Sequence, residues 1–252
     1  MKDKLRKVEM LCKELKLPYM SKSIEVEYEE ALTANIEPID MLLSMLTREY
    51  ELRLENGKQN RIRRANFPYK KYMEDLKEDF LPEDARKKLW NIKKLDFIEN
   101  HQNLILAGNP GTGKTHLAIS TGILACNQGY KVLFTTVSNM INRLKETKSQ
   151  KTLIAFENQI EKYDLLILDE LGYISFDKEG SELLFTHLSL RAERKSTIIT
   201  TNLSFERWEE IFKDPVMTAA MIDRLTHKSY VVNMNGNSYR LKETQDWLNS
   251  QK

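Results

Sequence analysis

The sequence predicts an α/β fold, a doubly wound parallel sheet with a helical domain ahead of it, and three features carry that expectation. Four short, β-rich apolar runs follow one another beyond residue 100, separated by helix-length segments, the alternation that builds a parallel sheet. The first run leads through a glycine-rich turn into an apolar helix. Before them, up to about Glu99, apolar residues recur at the helical period instead.

Taken in order, Ile39, Leu42, Leu43, Leu46, Tyr50 and Leu54 mark a helix, with Pro38 where a first turn tolerates it. Between Asn60 and Asp96, RIRRANFPYKK is basic and Pro68 interrupts any continuous helix. The expected division is a helical N-terminal domain over 1–66, a linker and lead-in over 67–94, and an α/β domain over 95–252. NLILAG, KVLFTT, YDLLILDE and STIITTN are its expected strands. After Arg224 come one strand-like stretch, SYVVNM, a turn at Asn235-Gly236-Asn237 and a last helix.

The 252 residues are 41% hydrophobic, enough for a packed core, and the net charge of +2 is too near balance for the whole surface to read as a polyanion binder. Cys12 and Cys126 lack disulfide-framework or zinc-site spacing, which makes the reducing cytoplasm the expected compartment. The charged N-terminus is not a signal peptide, and no apolar run approaches a bilayer span, so no membrane contact is expected.

Gly108-Asn109-Pro110-Gly111-Thr112-Gly113-Lys114-Thr115-His116 follows the first strand and opens a helix, the context a phosphate-binding loop requires. Its glycines let successive backbone N–H groups point at phosphates and the helix N-terminus adds positive potential. Lys114 reaches the terminal phosphate oxygens, and Thr115 ligates Mg²⁺. ATP and Mg²⁺ are the expected ligands. The strand YDLLILDE ends in Asp169, suited to the metal shell, and Glu170, suited to polarising an attacking water. The next strand ends at Asn202, read either as a residue holding that water or the γ-phosphate, or as a cap before FERWEEIF. From spacing alone Arg224 reads as a surface arginine or a neighbour of Asp223, and as an arginine finger only if subunits share sites.

Two basic segments stand out. Lys58, Arg61, Arg63, Arg64, Lys70 and Lys71, interleaved with Phe67, Tyr69 and Tyr72, suit either nucleic-acid phosphates or a solvated linker. Lys145, Lys148 and Lys151 lie in the segment between the second and third strands.

From Leu95 to Glu99 through GNPGTGKTHLA, LLILDELGY, ITTN and the closing DRL and SYR elements, the chain resembles the IstB family of insertion-sequence ATPases, related to the DnaC helicase loader. The resemblance implies an AAA+ P-loop ATPase that forms homo-oligomers with shared active sites on double-stranded DNA, bends it, and recruits a transposase whose arrival stimulates hydrolysis. Under it Lys114, Glu170, Asn202 and Arg224 become the catalytic groups, Asn202 as sensor and Arg224 as the finger. Thr115 and Asp169 hold the metal, and the helices from Ser138 to Tyr163 line the DNA channel. The chain departs from broader AAA+ proteins in lacking a C-terminal helical lid, and Arg240 matches the SYR element without an assigned role. A helicase loader acting on single-stranded DNA is the alternative; the Asp169-Glu170 pair speaks against a small-molecule kinase, and a nucleotide switch without turnover is separable by phosphate release.

Overall fold

A computed structural model describes residues 2–251, which divide into two compact units at Asn60/Arg61. The first is helical: α1 (Lys2–Glu14), α2 (Pro18–Thr33) and most of α3 (Pro38–Arg64). Its small core joins Cys12, Met20, Ile24 and Met45. The buried Glu49 of α3 accepts the Tyr19 and Met20 amides at 2.7 and 3.0 Å, satisfying orphan donors at the start of α2 with a charge that suits a helix N-terminus. The apolar stripe expected over Ile39 to Leu54 is helical, yet Ile39, Leu43, Leu46, Tyr50 and Leu54 are all exposed.

The second unit contains α4 (Glu83–Lys94), α5 (Asp96–Glu99), β1 (Leu104–Ala107), α6 (Lys114–Asn127), β2 (Val132–Thr136), α7 (Val137–Ser149), α8 (Leu153–Glu161), β3 (Leu165–Leu171), α9 (Lys178–Arg191), β4 (Ser196–Thr201), α10 (Glu209–Phe212), α11 (Pro215–Thr226), β5 (Tyr230–Asn233) and α12 (Tyr239–Ser250). All five strands pair in parallel, in the order β2-β3-β4-β1-β5. Alternation sorts their side chains onto two covered faces: Leu104, Leu106, Leu165, Ile167 and Ile198 pack with α6, and Ile105, Leu166, Leu168 and Ile199 with α7, α9 and α11. A strand buried on both faces reads as a continuous apolar run, which is why β1, β3 and β4 were recognisable in the sequence.

Two expected boundaries shift. The unit begins at Arg61, ahead of residue 66, because Ile62 and Ala65 join its core and the Phe134 amide donates to Ala65 O at 2.7 Å. Residues 67–94 are not a linker: Met73, Leu76, Leu81, Ala85, Leu89 and Ile92 are buried in that core, and Phe67 lies 6.0 Å from the Phe134 ring. The basic surface pattern hid an apolar inner side. Among the described residues no helix is long and apolar enough to cross a membrane.

One side chain of this core carries a pH dependence. His187 of α9 is buried, with neither ring nitrogen hydrogen-bonded among the described residues. Burial, then Arg191, pushes its pKa down to about 4. Between the ordinary value near 6.5 and about 4 the unfolded chain binds a proton that the fold refuses, so stability falls as pH drops through that window. The expected loss by pH 5 is about 2 kcal/mol. Urea unfolding of wild type and His187→Leu at pH 7 and 5 checks this, the variant lacking that share of the loss.

Candidate functional site

The strand-to-helix turn after β1 builds the anion site. Gly111 and Gly113 adopt left-handed backbone (φ 80° and 91°), which glycine reaches without Cβ strain. A Cβ on Gly111 would collide with Ser238, and one on Gly108 with the backbone of Met234 and Asn235, so the chain leaving β5 passes directly against the loop. That contact is reinforced by Asn109 N–H donating to Asn235 Oδ1 at 3.1 Å and Tyr239 N–H donating to Gly111 O at 2.9 Å. Lys114, at the first position of α6, donates through Nζ to Gly108 O and Asn109 O, both at 2.6 Å. Burial lowers its pKa to about 8, with Arg240 adding to the effect and Asp169 opposing it.

At the end of β3 the ladder to β4 breaks between Leu168 and Leu171, and Glu170 takes a left-handed conformation, φ 68°. Asp169 stays buried while Glu170 is exposed, so adjacent acids acquire different environments. Thr200 stands opposite the break: its hydroxyl donates to Asp169 Oδ1 at 2.5 Å and accepts from the Glu170 amide at 3.0 Å. Thr115 Oγ1 lies 3.0 and 3.2 Å from the two Asp169 carboxylate oxygens.

These groups share a cleft of about 410 Å³, a size suited to a small organic ligand. Gly111, Thr112, Gly113, Lys114, Thr115 and His116 form its floor, and Glu170 and Thr200 one end. Tyr69, Lys71, Leu76, Phe80 and Leu81 form a wall, and Tyr239, Arg240 and Glu243 reach in from α12. The wall and α12 are tied by Lys77 Nζ donating to the Tyr239 hydroxyl at 2.9 Å and by the Phe80 and Tyr239 rings 5.3 Å apart.

Other expected site residues fall elsewhere. The residue of β4 that lines the cleft is Thr200, whereas the buried Asn202 Oδ1 lies behind Gly172 with no hydrogen-bond partner among the described residues. Arg224 is exposed on α11, its guanidinium 4.8 Å from the Phe185 ring centre. Arg61 Nε donates to Cys126 O at the C-terminus of α6, and Arg63 and Arg64 share the last turn of α3. Lys145 and Lys148 pair with Asp177 and Glu179 at 2.5 and 2.7 Å, stapling α7 to the start of α9, and Lys151, two residues beyond α7, takes a left-handed conformation. Lys71 turns to the nucleotide-sized cleft, with Lys70 beside it in the chain. Sequence reasoning missed Thr200, read Tyr69 only with the basic segment, and left Arg240 without a role. Only the SYR element signalled the last of these.

Thr200→Val removes the hydroxyl bridging the two acids and leaves the Glu170 N–H without its partner, a cost of about 1–3 kcal/mol. Turnover is expected to fall at least tenfold with ATP affinity little changed, readable by phosphate release alongside fluorescent-nucleotide titration.

A parallel sheet in this strand order, a P-loop between β1 and α6, and paired acids ending β3 define a P-loop protein of α/β fold. The family described as IstB-like ATP binding protein matches residues 10–246, and the chain belongs to that family. A Pseudomonas aeruginosa protein named as an ATP-binding protein of insertion sequence IS21 is 36% identical over 239 residues, covering 95% of this chain and 90% of its own length. Its counterpart of insertion sequence IS5376 from Geobacillus stearothermophilus is 34% identical, covering 92% of each. Among solved structures, AMPPCP-bound DnaA from Aquifex aeolicus is similar in fold, with a TM-score of 0.56 at 20% identity, over 74% of this chain and 56% of that one. DnaI is similar at a TM-score of 0.54 and 21% identity, over 67% and 89%.

Proposed function

We propose that this chain hydrolyses ATP with Mg²⁺ and uses the nucleotide cycle to assemble on double-stranded DNA and serve the transposase of an insertion sequence. The observation that carries the hydrolytic part is the convergence of Thr115, Asp169, Thr200 and Glu170 at one end of the P-loop cleft. A hydroxyl and a carboxylate within 3.0 Å fit a hard divalent cation that also takes phosphate oxygens and water. Thr115 and Asp169 would hold Mg²⁺, which when bound offsets phosphate charge.

The chain's own groups supply the rest. Loop amides and the start of α6 bind the triphosphate, with Lys114, Arg240, Lys71 and Lys77 as the cations that line the cleft. Glu170 accepts a proton from water, while Thr200 fixes the backbone from which that carboxylate projects. Arg224, which does not line its own cleft, is assigned to the cleft of a neighbouring copy in a homo-oligomer. The DNA and transposase roles rest on family membership and on relatives named for insertion sequences. Arg64, Lys70 and Lys151 are the basic candidates for phosphate contact, whereas Lys145 and Lys148 each already face a carboxylate.

The test is light scattering on size-separated Glu170→Gln with ATP and Mg²⁺, without DNA, with a duplex of roughly fifty base pairs, and with a single strand of equal length. At about 3.4 Å per base pair such a duplex runs to about 170 Å. Large assemblies on the duplex are expected. Assembly confined to the single strand would replace this reading with a helicase loader.

A further inference from the structure

We propose that Tyr69 belongs to the hydrolytic centre, its phenol hydroxyl holding the attacking water alongside Glu170. The inference rests on the ATPase reading above and adds a residue from outside the P-loop and the sheet. Tyr69 lies in FPYKK, whose charge and aromatic content first read as a nucleic-acid contact or a solvated linker. The structure places it instead on the wall of the cleft that Lys114, Thr115, Glu170, Thr200 and Arg240 line.

Its neighbours in the chain fix that position. Two residues before it, Phe67 packs on Phe134 at the sheet. Three residues after it, Tyr72 N–H donates to Asp75 Oδ2 at 3.0 Å, and Tyr72 O lies 3.4 Å from His116 Nε2 on the first turn of α6. Next, Met73 is buried in the core, 3.8 Å through Sδ from Ser120 Oγ of α6. A segment anchored on both sides holds Tyr69 at the cleft. The electrostatic surroundings agree: burial, then Asp169, raises its pKa, with Glu170 adding and Arg240 opposing. The hydroxyl therefore keeps its proton and serves as donor and acceptor at once, which is what positioning a water between a carboxylate and a phosphate demands.

The step balances without another reactant. The water oxygen forms a bond to the γ-phosphorus, and the bond from that phosphorus to the β–γ bridging oxygen breaks, its electron pair leaving with ADP. The water proton passes to Glu170 and on to the released phosphate. Tyr69 exchanges no proton; it restricts the water to the line of attack, and such orientation is worth orders of magnitude in rate.

Tyr69→Phe deletes one oxygen from a side chain that is 46% exposed, so folding is expected to persist, which thermal unfolding verifies. Steady-state phosphate release is expected to show kcat reduced by roughly 10–100-fold with KM for ATP within about twofold. A purely structural or nucleotide-binding role would move KM or the unfolding temperature instead. In the Glu170→Gln background the same substitution should cost less than about threefold, because two groups on one water are not additive. A Tyr69→Phe enzyme with wild-type kcat, a change in KM alone, or full additivity with Glu170→Gln overturns the proposal. If wild type and Glu170→Gln release phosphate equally, the hydrolytic reading itself falls and takes this inference with it. A slow Glu170→Gln beside a normal Tyr69→Phe removes Tyr69 only.

Discussion

Glu170→Gln is expected to lower ATP turnover by on the order of 10²–10⁴-fold while ATP affinity stays within about twofold. The amide is isosteric, so the backbone bond from Glu170 N–H to Thr200 and the pairing of Thr200 with Asp169 survive. Only the proton acceptor is lost, and a group that acts after binding appears in kcat and not in the ground state. Phosphate release and fluorescent-nucleotide titration on the same preparation separate the two, and a rate within about threefold of wild type would remove Glu170 from the chemistry. The backbone makes a second claim at the same position. Glu170 sits at φ 68°, a conformation that costs a residue with a Cβ about 1 kcal/mol relative to glycine. Glu170→Gly should therefore unfold at about 1 kcal/mol greater stability while losing turnover as Glu170→Gln does. Such a pair of outcomes marks strain kept for function.

That strain also explains where sequence reasoning stopped. The P-loop and the strands β1, β3 and β4 were readable because their signals are local: glycines at fixed offsets, and apolar runs buried on both faces. Asn202 was the expected polar partner because an amide at a strand end is a conspicuous side chain. The register adds a residue that no strand-end signal marks, since Leu168 pairs with Ile199 and Leu171 with Thr201, leaving Thr200 opposite the break that displaces Asp169 and Glu170. A bulge of this kind is a property of two strands together and leaves no mark in either one. The same holds for charge. Lys145 and Lys148 read as phosphate ligands because Asp177 and Glu179, which neutralise them, arrive about thirty residues later. In the 67–94 segment the pattern was ambiguous in a productive way: cations and aromatics suited to a polyanion are present, and Tyr69 and Lys71 face a cleft suited to a triphosphate.

Arg224→Ala is expected to leave ATP binding intact and to reduce assembly-dependent hydrolysis by about 10³–10⁵-fold, the range over which an arginine finger acts. Arg224 does not reach its own cleft; it is exposed on α11 with its guanidinium over Phe185. Losing that stacking at an exposed site costs about 0.5–1 kcal/mol, too little to account for such a drop through unfolding. What remains is action in trans, and mixing tests it directly. Glu170→Gln lacks the base but keeps Arg224, and Arg224→Ala keeps the base but lacks the guanidinium. If the finger crosses between copies, a mixed assembly contains clefts that combine the intact Glu170 of one copy with the intact Arg224 of its neighbour, and hydrolysis returns on mixing two inactive preparations. If Arg224 acts within its own chain, no mixed interface contains a complete site and the mixture stays inactive. Recovery that requires DNA in the mixture would further tie site completion to assembly on DNA, since the guanidinium is then supplied only when the nucleic acid brings copies side by side.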